Sequence, residues 1–266
     1  MNLIDYYEIC KAKLKYLRYS ERTIPMYLFY IKQFLESVNV APSRLNAEHF
    51  QKYLESYQFT SGSQQNQVIN AIRFLYKFGL DRKYEKVSFK RPRKERKLPR
   101  VINHNELFEK INSIPNLKHK AILSLAYCCG LRVSEVVNLK ISDIDGKQRI
   151  ILISQAKGKK DRMVPVSENV LATLREYFKA YRPKEYLFNG QFTTKYSVSS
   201  CQQIFKKYID KKHSFHHLRH SAYTTMLEKG VDLRVIQTVA GHKSPNTTAI
   251  YTHVSSKFLQ SIQTPI

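Results

Sequence analysis

The chain has 266 residues, enough to bury a sizeable core and, at usual domain sizes, to divide into about two domains. Lys and Arg number 45 against 21 Asp and Glu, and the net charge of +24 exceeds what solubility requires and points to a polyanionic partner. No run approaches the roughly 20 apolar residues of a membrane-spanning helix, and the acid-containing opening MNLIDYYEICKAKLKYLRY lacks the apolar stretch of an export signal, so a soluble, cytoplasmic protein is expected.

The first 85 residues read as helices separated by short breaks. Ile24, Tyr27, Leu28, Ile31, Phe34 and Leu35 recur at steps of three and four, the spacing of an amphipathic helix. Segments 2–17, 46–57 and 64–79 follow the same pattern, and APSR and TSGS interrupt it, which predicts a bundle of about four helices. This part is only mildly basic, with 12 basic and 8 acidic residues in 1–85, whereas 86–266 hold 33 and 13. The electrostatic footprint therefore lies mainly in the C-terminal part.

KRPRKERKLPR, residues 90–100, packs seven basic residues, one acid and two prolines into eleven positions. Such a run neither sustains a helix nor buries itself, and predicts an extended linker lying along a phosphate backbone. Arg91, Arg93, Lys94 and Lys97 are its candidate DNA contacts, and a nuclear-localisation patch is the competing reading.

Beyond residue 101 the pattern is mixed. HKAILSLAYCCG (119–130) is apolar nearly all round, hence a buried helix, with Gly130 placed to cap it. RIILIS (149–154) and RMVPVS (162–167) have strand character and flank QAKGKKD, a lysine-rich hairpin tip; SDIDG (142–146) reads as a turn before them. A helix from near His216 should end at Gly230, a second should run from Asp232 to Gly241, and a third from Ser244 and Pro245 to Tyr251. The fold class is mainly α with a small antiparallel sheet. Cys10, Cys128, Cys129 and Cys201 show no C-x-x-C spacing and read as small buried hydrophobes in a reducing compartment.

Several clusters carry chemistry. Arg132 could simply pair with Glu135 one turn on, and Lys157 could be one more solvated lysine beside Lys159 and Lys160. Taken together with His216, Arg219, His242 and Tyr251 they form a kit for phosphoryl transfer. Two guanidiniums grip phosphate oxygens, imidazoles add hydrogen bonds, a tyrosine attacks and a lysine protonates the leaving oxygen. The crowded His213, His216, His217 and His220 lack the acid and cysteine partners of a zinc site, SDIDG lacks the remaining acids of a calcium loop, and no phosphate-binding glycine motif occurs. No metal or cofactor is expected.

The succession GLRVSE, AKGKKDR, HHLRH, GHKSPNTT and YTHV, behind a helical region and a basic linker, resembles the tyrosine recombinase, or phage integrase, family, especially its Xer-like members. The resemblance spans essentially the whole chain. It implies a helical, SAM-like core-binding domain (1–87), a linker (88–100) and a mixed α/β catalytic domain (101–266) that together clamp double-stranded DNA. By position it makes Arg132, Lys157, His216, Arg219 and His242 catalytic and Tyr251 the nucleophile, with Lys159 and Lys160 as DNA contacts and His217 and His220 without catalytic roles. It further implies a site-specific recombinase working through a 3′-phosphotyrosyl intermediate without metal or ATP, as a homotetramer on DNA. A type IB topoisomerase or a non-catalytic DNA-binding protein are the alternatives.

Overall fold

The computed structural model describes residues 3–38, 40–81, 91–92, 100–154, 161–242 and 244–252. The chain divides into two compact units, Met1–Arg96 and Lys97–Ile266.

The first unit is built from α1 (Leu3–Tyr16), α2 (Thr23–Ser37), α3 (Ala47–Ser56) and α4 (Gly62–Phe74). Tyr6, Cys10 and Leu14 place one stripe of α1 inward, and Leu28, Ile31, Phe34 and Leu35 do the same for α2. Asn46 caps α3 through its side-chain oxygen, which accepts from the His49 amide at 3.1 Å, and Ser61 caps α4 at Gln64. Phe34 meets Phe50 and Tyr53 edge-on, with centroids 6.2 and 5.1 Å apart, and locks α2 to α3. The fourth predicted helix differs in detail: α4 ends at Phe74, and residues 75–79 form a wider π turn. Arg91 rests against α4, donating to Asn66 (2.8 Å) and Asn70 (3.0 Å), side chains one turn apart. The rest of the predicted linker lies outside the described residues.

In the second unit α5 (His104–Asn112) and α6 (Leu117–Cys128), buried at Ala121, Ile122, Leu123, Leu125 and Ala126 and half-buried elsewhere, lead to Gly130, which turns left-handed at φ 59° as its place in the sequence predicts. After α7 (Val133–Asn138) come β1 (Ile144–Asp145), β2 (Ile150–Ile153) and β3 (Arg162–Pro165), an antiparallel sheet in that order with Ile144 opposite Ile151 and Ile153 opposite Arg162. SDIDG is therefore more than a turn, since its Ile-Asp pairs with β2; two residues are too short to leave an alternating pattern. Ile151, Ile153 and Val164 face the core while Leu152 and Met163 face out. The hairpin tip, residues 155–160, lies outside the described residues.

Helices α8 (Glu168–Tyr181), α9 (Val198–Tyr208), α10 (His216–Glu228), α11 (Leu233–Ala240) and α12 (Pro245–Ala249) complete the unit. α10 and α11 start and stop at the predicted residues, with Gly230 and Gly241 at positive φ and Asp232 accepting from the Arg234 amide. α12 is shorter than the sequence suggests: it stops at Ala249 and leaves Tyr251 in the turn that follows. The main core gathers α5 to α9 and the sheet, and a smaller one joins Tyr223, Leu227, Ile236, Ala240 and Tyr251. Where the chain enters this unit, the Ile102 amide donates to the buried Ser221 hydroxyl of α10 at 2.9 Å. Cys10, Cys129 and Cys201 are buried as expected, and Cys128 is half-buried.

Candidate active site

Glu135, on the first turn of α7, is 7% exposed at its side chain and sits among three arginines. It accepts the Arg132 backbone amide (2.8 Å) and the Arg132 guanidinium (2.7 Å), closing the start of the helix. Arg162 of β3 adds a two-pronged bond, Nη1 to Oε1 at 2.9 Å and Nη2 to Oε2 at 2.8 Å, and Arg219 approaches to 3.9 Å. Burial would raise this carboxyl's pKa, but the hydrogen bonds from Arg162 and Arg132 overcome it and hold it down at about 2. One carboxylate thus answers three guanidiniums, and the centre keeps an excess of positive charge.

Arg219 is 2% exposed, on α10. Its Nη1 donates to the Gly130 carbonyl and its Nη2 to that of Ala240, both at 2.6 Å. These carbonyls lie at the C-terminal ends of α6 and α11, where aligned backbone dipoles favour a cation. Beneath them the Tyr223 ring lies 4.8 Å from the guanidinium carbon, and its hydroxyl donates to the same Gly130 carbonyl at 2.9 Å. The sequence builds this seat by ending two helices in glycines, Gly130 and Gly241, whose left-handed turns leave the last carbonyls open to a side chain.

His242 follows Gly241. Its Nε2 lies 3.4 Å from Arg219 Nη2 and its Nδ1 2.8 Å from the Thr248 hydroxyl on α12. A guanidinium can only donate, so Nε2 accepts, and Nδ1 carries the proton and donates to Thr248. Burial first, then Arg219 and Arg132, lower the His242 pKa to about 4. Tyr251, 1% exposed, lies nearly parallel to the His242 ring at 6.4 Å, and its hydroxyl sits 3.2 Å from Nδ1 of His220. Burial pushes the Tyr251 pKa up, with Arg219 opposing, while burial and the neighbouring His216 and His217 bring His220 down to about 4. His216 stands exposed at the start of α10, edge-on to His220 with centroids 4.6 Å apart; His217 folds back so that its Nδ1 accepts from the Ser214 amide.

Arg132, His216, Arg219, His242 and Tyr251 thus gather from three stretches of chain. Lys157, Lys159 and Lys160, like Arg93, Lys94 and Lys97, lie outside the described residues, and Arg91 belongs to the other unit. Sequence reasoning missed two residues of the cluster. Arg162 occupies an inward position of a strand, a place where a charge demands a buried partner, and that alternation was its signal. His220 stands one turn after His216 and faces the tyrosine, a relation that spacing within the helix does not reveal.

Comparison with known proteins identifies the family. The Phage integrase family matches residues 100–257, and the N-terminal SAM-like domain of phage integrases matches residues 7–86. Tyrosine recombinase XerA of Pyrococcus horikoshii is 36% identical over 249 residues, 91% of this chain and 86% of that protein. The crystal structure of XerA recombinase superposes with a TM-score of 0.57 at 29% identity, over 97% of this chain and 96% of that one. A XerH site-specific recombinase bound to difH substrate in a pre-cleavage complex shares the fold with a TM-score of 0.74 at 22% identity, over 98% of this chain and 83% of that one. The chain belongs to the phage integrase family and is a tyrosine-type site-specific recombinase, an enzyme of DNA strand exchange.

Proposed function

We propose that this recombinase cuts and rejoins DNA by transesterification at the site just described, with Tyr251 as the nucleophile. The observation that carries the reading is the convergence of Arg132, Arg219, His242 and Tyr251 in a cluster with more positive than negative charge. A phosphodiester is the anion such a cluster suits. Arg132 and Arg219 hold its non-bridging oxygens, and the pre-placed Arg219 spares reorganisation at the moment of reaction. The arriving negative charge raises the depressed His242 pKa and favours an imidazolium, so His242, with the exposed His216, becomes a better donor to the phosphate.

Tyr251 Oη bonds to phosphorus as the P–O5′ bond breaks, giving a 3′-phosphotyrosyl enzyme and a 5′ oxygen that Lys157 protonates. A 5′-hydroxyl from a partner duplex then attacks the phosphotyrosine and releases Tyr251. One phosphate ester replaces another at each step, so the energy is conserved without ATP or a metal. Because Tyr251 is 1% exposed in the free chain, engaging DNA requires a path for the phosphate to its hydroxyl.

The clamp consists of a core-binding domain at 1–87, a basic linker at 88–100 and the catalytic domain at 101–266, with Arg91, Arg93, Lys94 and Lys97 on the backbone and Lys159 and Lys160 at the hairpin. Four protomers exchange strands between two duplexes in the cytoplasm. The test is covalent capture on a suicide duplex nicked beside a site that the wild-type chain itself selects from a random-sequence pool. Wild type should accumulate an adduct; Tyr251→Phe should bind the duplex as tightly and form none. An adduct in Tyr251→Phe would assign the attack to another residue.

A further inference from the structure

Tyr251 has the rings of His220 and His242 against it, with His216 beyond His220, and the three differ in what their nitrogens are already doing. His242 lies parallel to the phenol ring, but both its nitrogens are engaged, Nε2 by Arg219 and Nδ1 by Thr248. His216 faces outward, and its ring meets that of His220 rather than the tyrosine. His220 has Nδ1 3.2 Å from Tyr251 Oη. A buried phenol with a raised pKa keeps its proton and donates it, so Nδ1 accepts and the ring's own proton sits on Nε2. The His220 imidazole is neutral at physiological pH, since burial and then His216, His217, Arg219 and His242 disfavour its charged form.

We propose that His220 is the general base of strand cleavage, taking the Tyr251 proton on Nδ1 as the phenol oxygen attacks phosphorus. This rests on Tyr251 being the nucleophile. The step balances. The Oη–H bond breaks and its proton goes to Nδ1, the Oη–P bond forms with the electron pair left on oxygen, and the P–O5′ bond breaks with its pair on the 5′ oxygen. The imidazolium so formed stays beside the phosphotyrosine. In rejoining, it returns the proton to Oη as the tyrosine leaves, so one residue serves as base in cleavage and acid in ligation, as microscopic reversibility requires.

Charge explains why the base needs to be His220. A proton on His220 is opposed first by burial and then by charge on His216, His217, Arg219 and His242, and the DNA phosphate supplies the compensating anion only when substrate is in place. The base is therefore strengthened by the substrate it serves.

The test follows single-turnover adduct formation by the full chain on the self-selected suicide duplex. Compared are wild type, His220→Ala, His220→Asn and Tyr251→Phe, with duplex binding measured alongside. Both His220 variants should bind normally and form adduct about 10²- to 10⁴-fold more slowly, the usual worth of positioned proton transfer. Added imidazole should rescue His220→Ala, with substituted imidazoles rescuing faster as their basicity rises. Asparagine offers a hydrogen-bond acceptor at the Nδ1 position but cannot take a proton, and it carries the test if the alanine variant does not fold. A wild-type rate in His220→Asn would reduce the contact to positioning. A slow His220→Ala that imidazole leaves unchanged would make it packing, and a faster one would make it a latch; each overturns the proposal. Adduct in Tyr251→Phe would instead sink the nucleophile assignment itself.

Discussion

Glu135 is an acid placed among three arginines, and its removal should be felt twice. Glu135→Gln leaves the 6%-exposed Arg162 side chain without its counter-charge, a change that costs about 3–5 kcal/mol when a buried pair is broken from one side. Urea unfolding should register that loss, and cleavage should fall because Arg132 is no longer held at the start of α7. Acid makes the same point more gently. A carboxyl held at about 2 in the folded chain, against an ordinary value near 4.5, contributes stability that is complete above about pH 4.5 and is lost as pH falls toward 2, on the order of 3 kcal/mol in all. His220 and His242 act earlier: their pKa values are depressed to about 4, so the unfolded chain binds their protons first and stability begins to fall below about pH 6.5. Urea midpoints measured from pH 7 to pH 3 should decline in these two overlapping stages, and Glu135→Gln should lack the lower one. A flat profile down to pH 4 would contradict the burial of both imidazoles.

Helix ends position the site, and two glycines allow that to be measured. Gly130 and Gly230 both terminate helices at positive φ, 59° and 81°. A Cβ on Gly230 would meet nothing within 4 Å, whereas one on Gly130 would come within 2.7 Å of the Tyr223 ring. Gly230→Ala should therefore cost only the left-handed backbone term, about 1–2 kcal/mol. Gly130→Ala should cost more in thermal unfolding and should also slow cleavage, because the displaced Tyr223 shares its carbonyl acceptor with Arg219. Equal effects would mean that the ring yields freely. Such ends were legible in the sequence, since Gly130, Gly230, Asp232 and Gly241 are local punctuation. The short β1 and the π turn at 75–79 were not, because pairing and packing across the unit decide them rather than periodicity. The same divide runs through the site. Motif spacing brought out Arg132, Arg219, His242 and Tyr251, while the Arg162–Glu135 bond joins residues 27 apart, and no local pattern ties His220 to Tyr251.

For the whole molecule, charge is the dominant property, and most of the +24 lies beyond residue 85. Binding to duplex DNA should fall steeply with salt as counterions are released, with log affinity declining linearly in log salt. Replacing Arg91, Arg93, Lys94 and Lys97 by neutral residues should weaken binding to all sequences alike and lower that slope by up to about 4, roughly one for each phosphate left unneutralised. A change confined to which site is preferred would mean that this segment reads bases. The basic segment ends where the chain enters the catalytic unit, and two residues after Arg100 the Ile102 amide is bonded to Ser221, the second residue after Arg219 on α10. The start of the catalytic unit is thereby pinned to the helix that carries His216, Arg219 and His220, so a displacement of Ile102 acts on that helix directly.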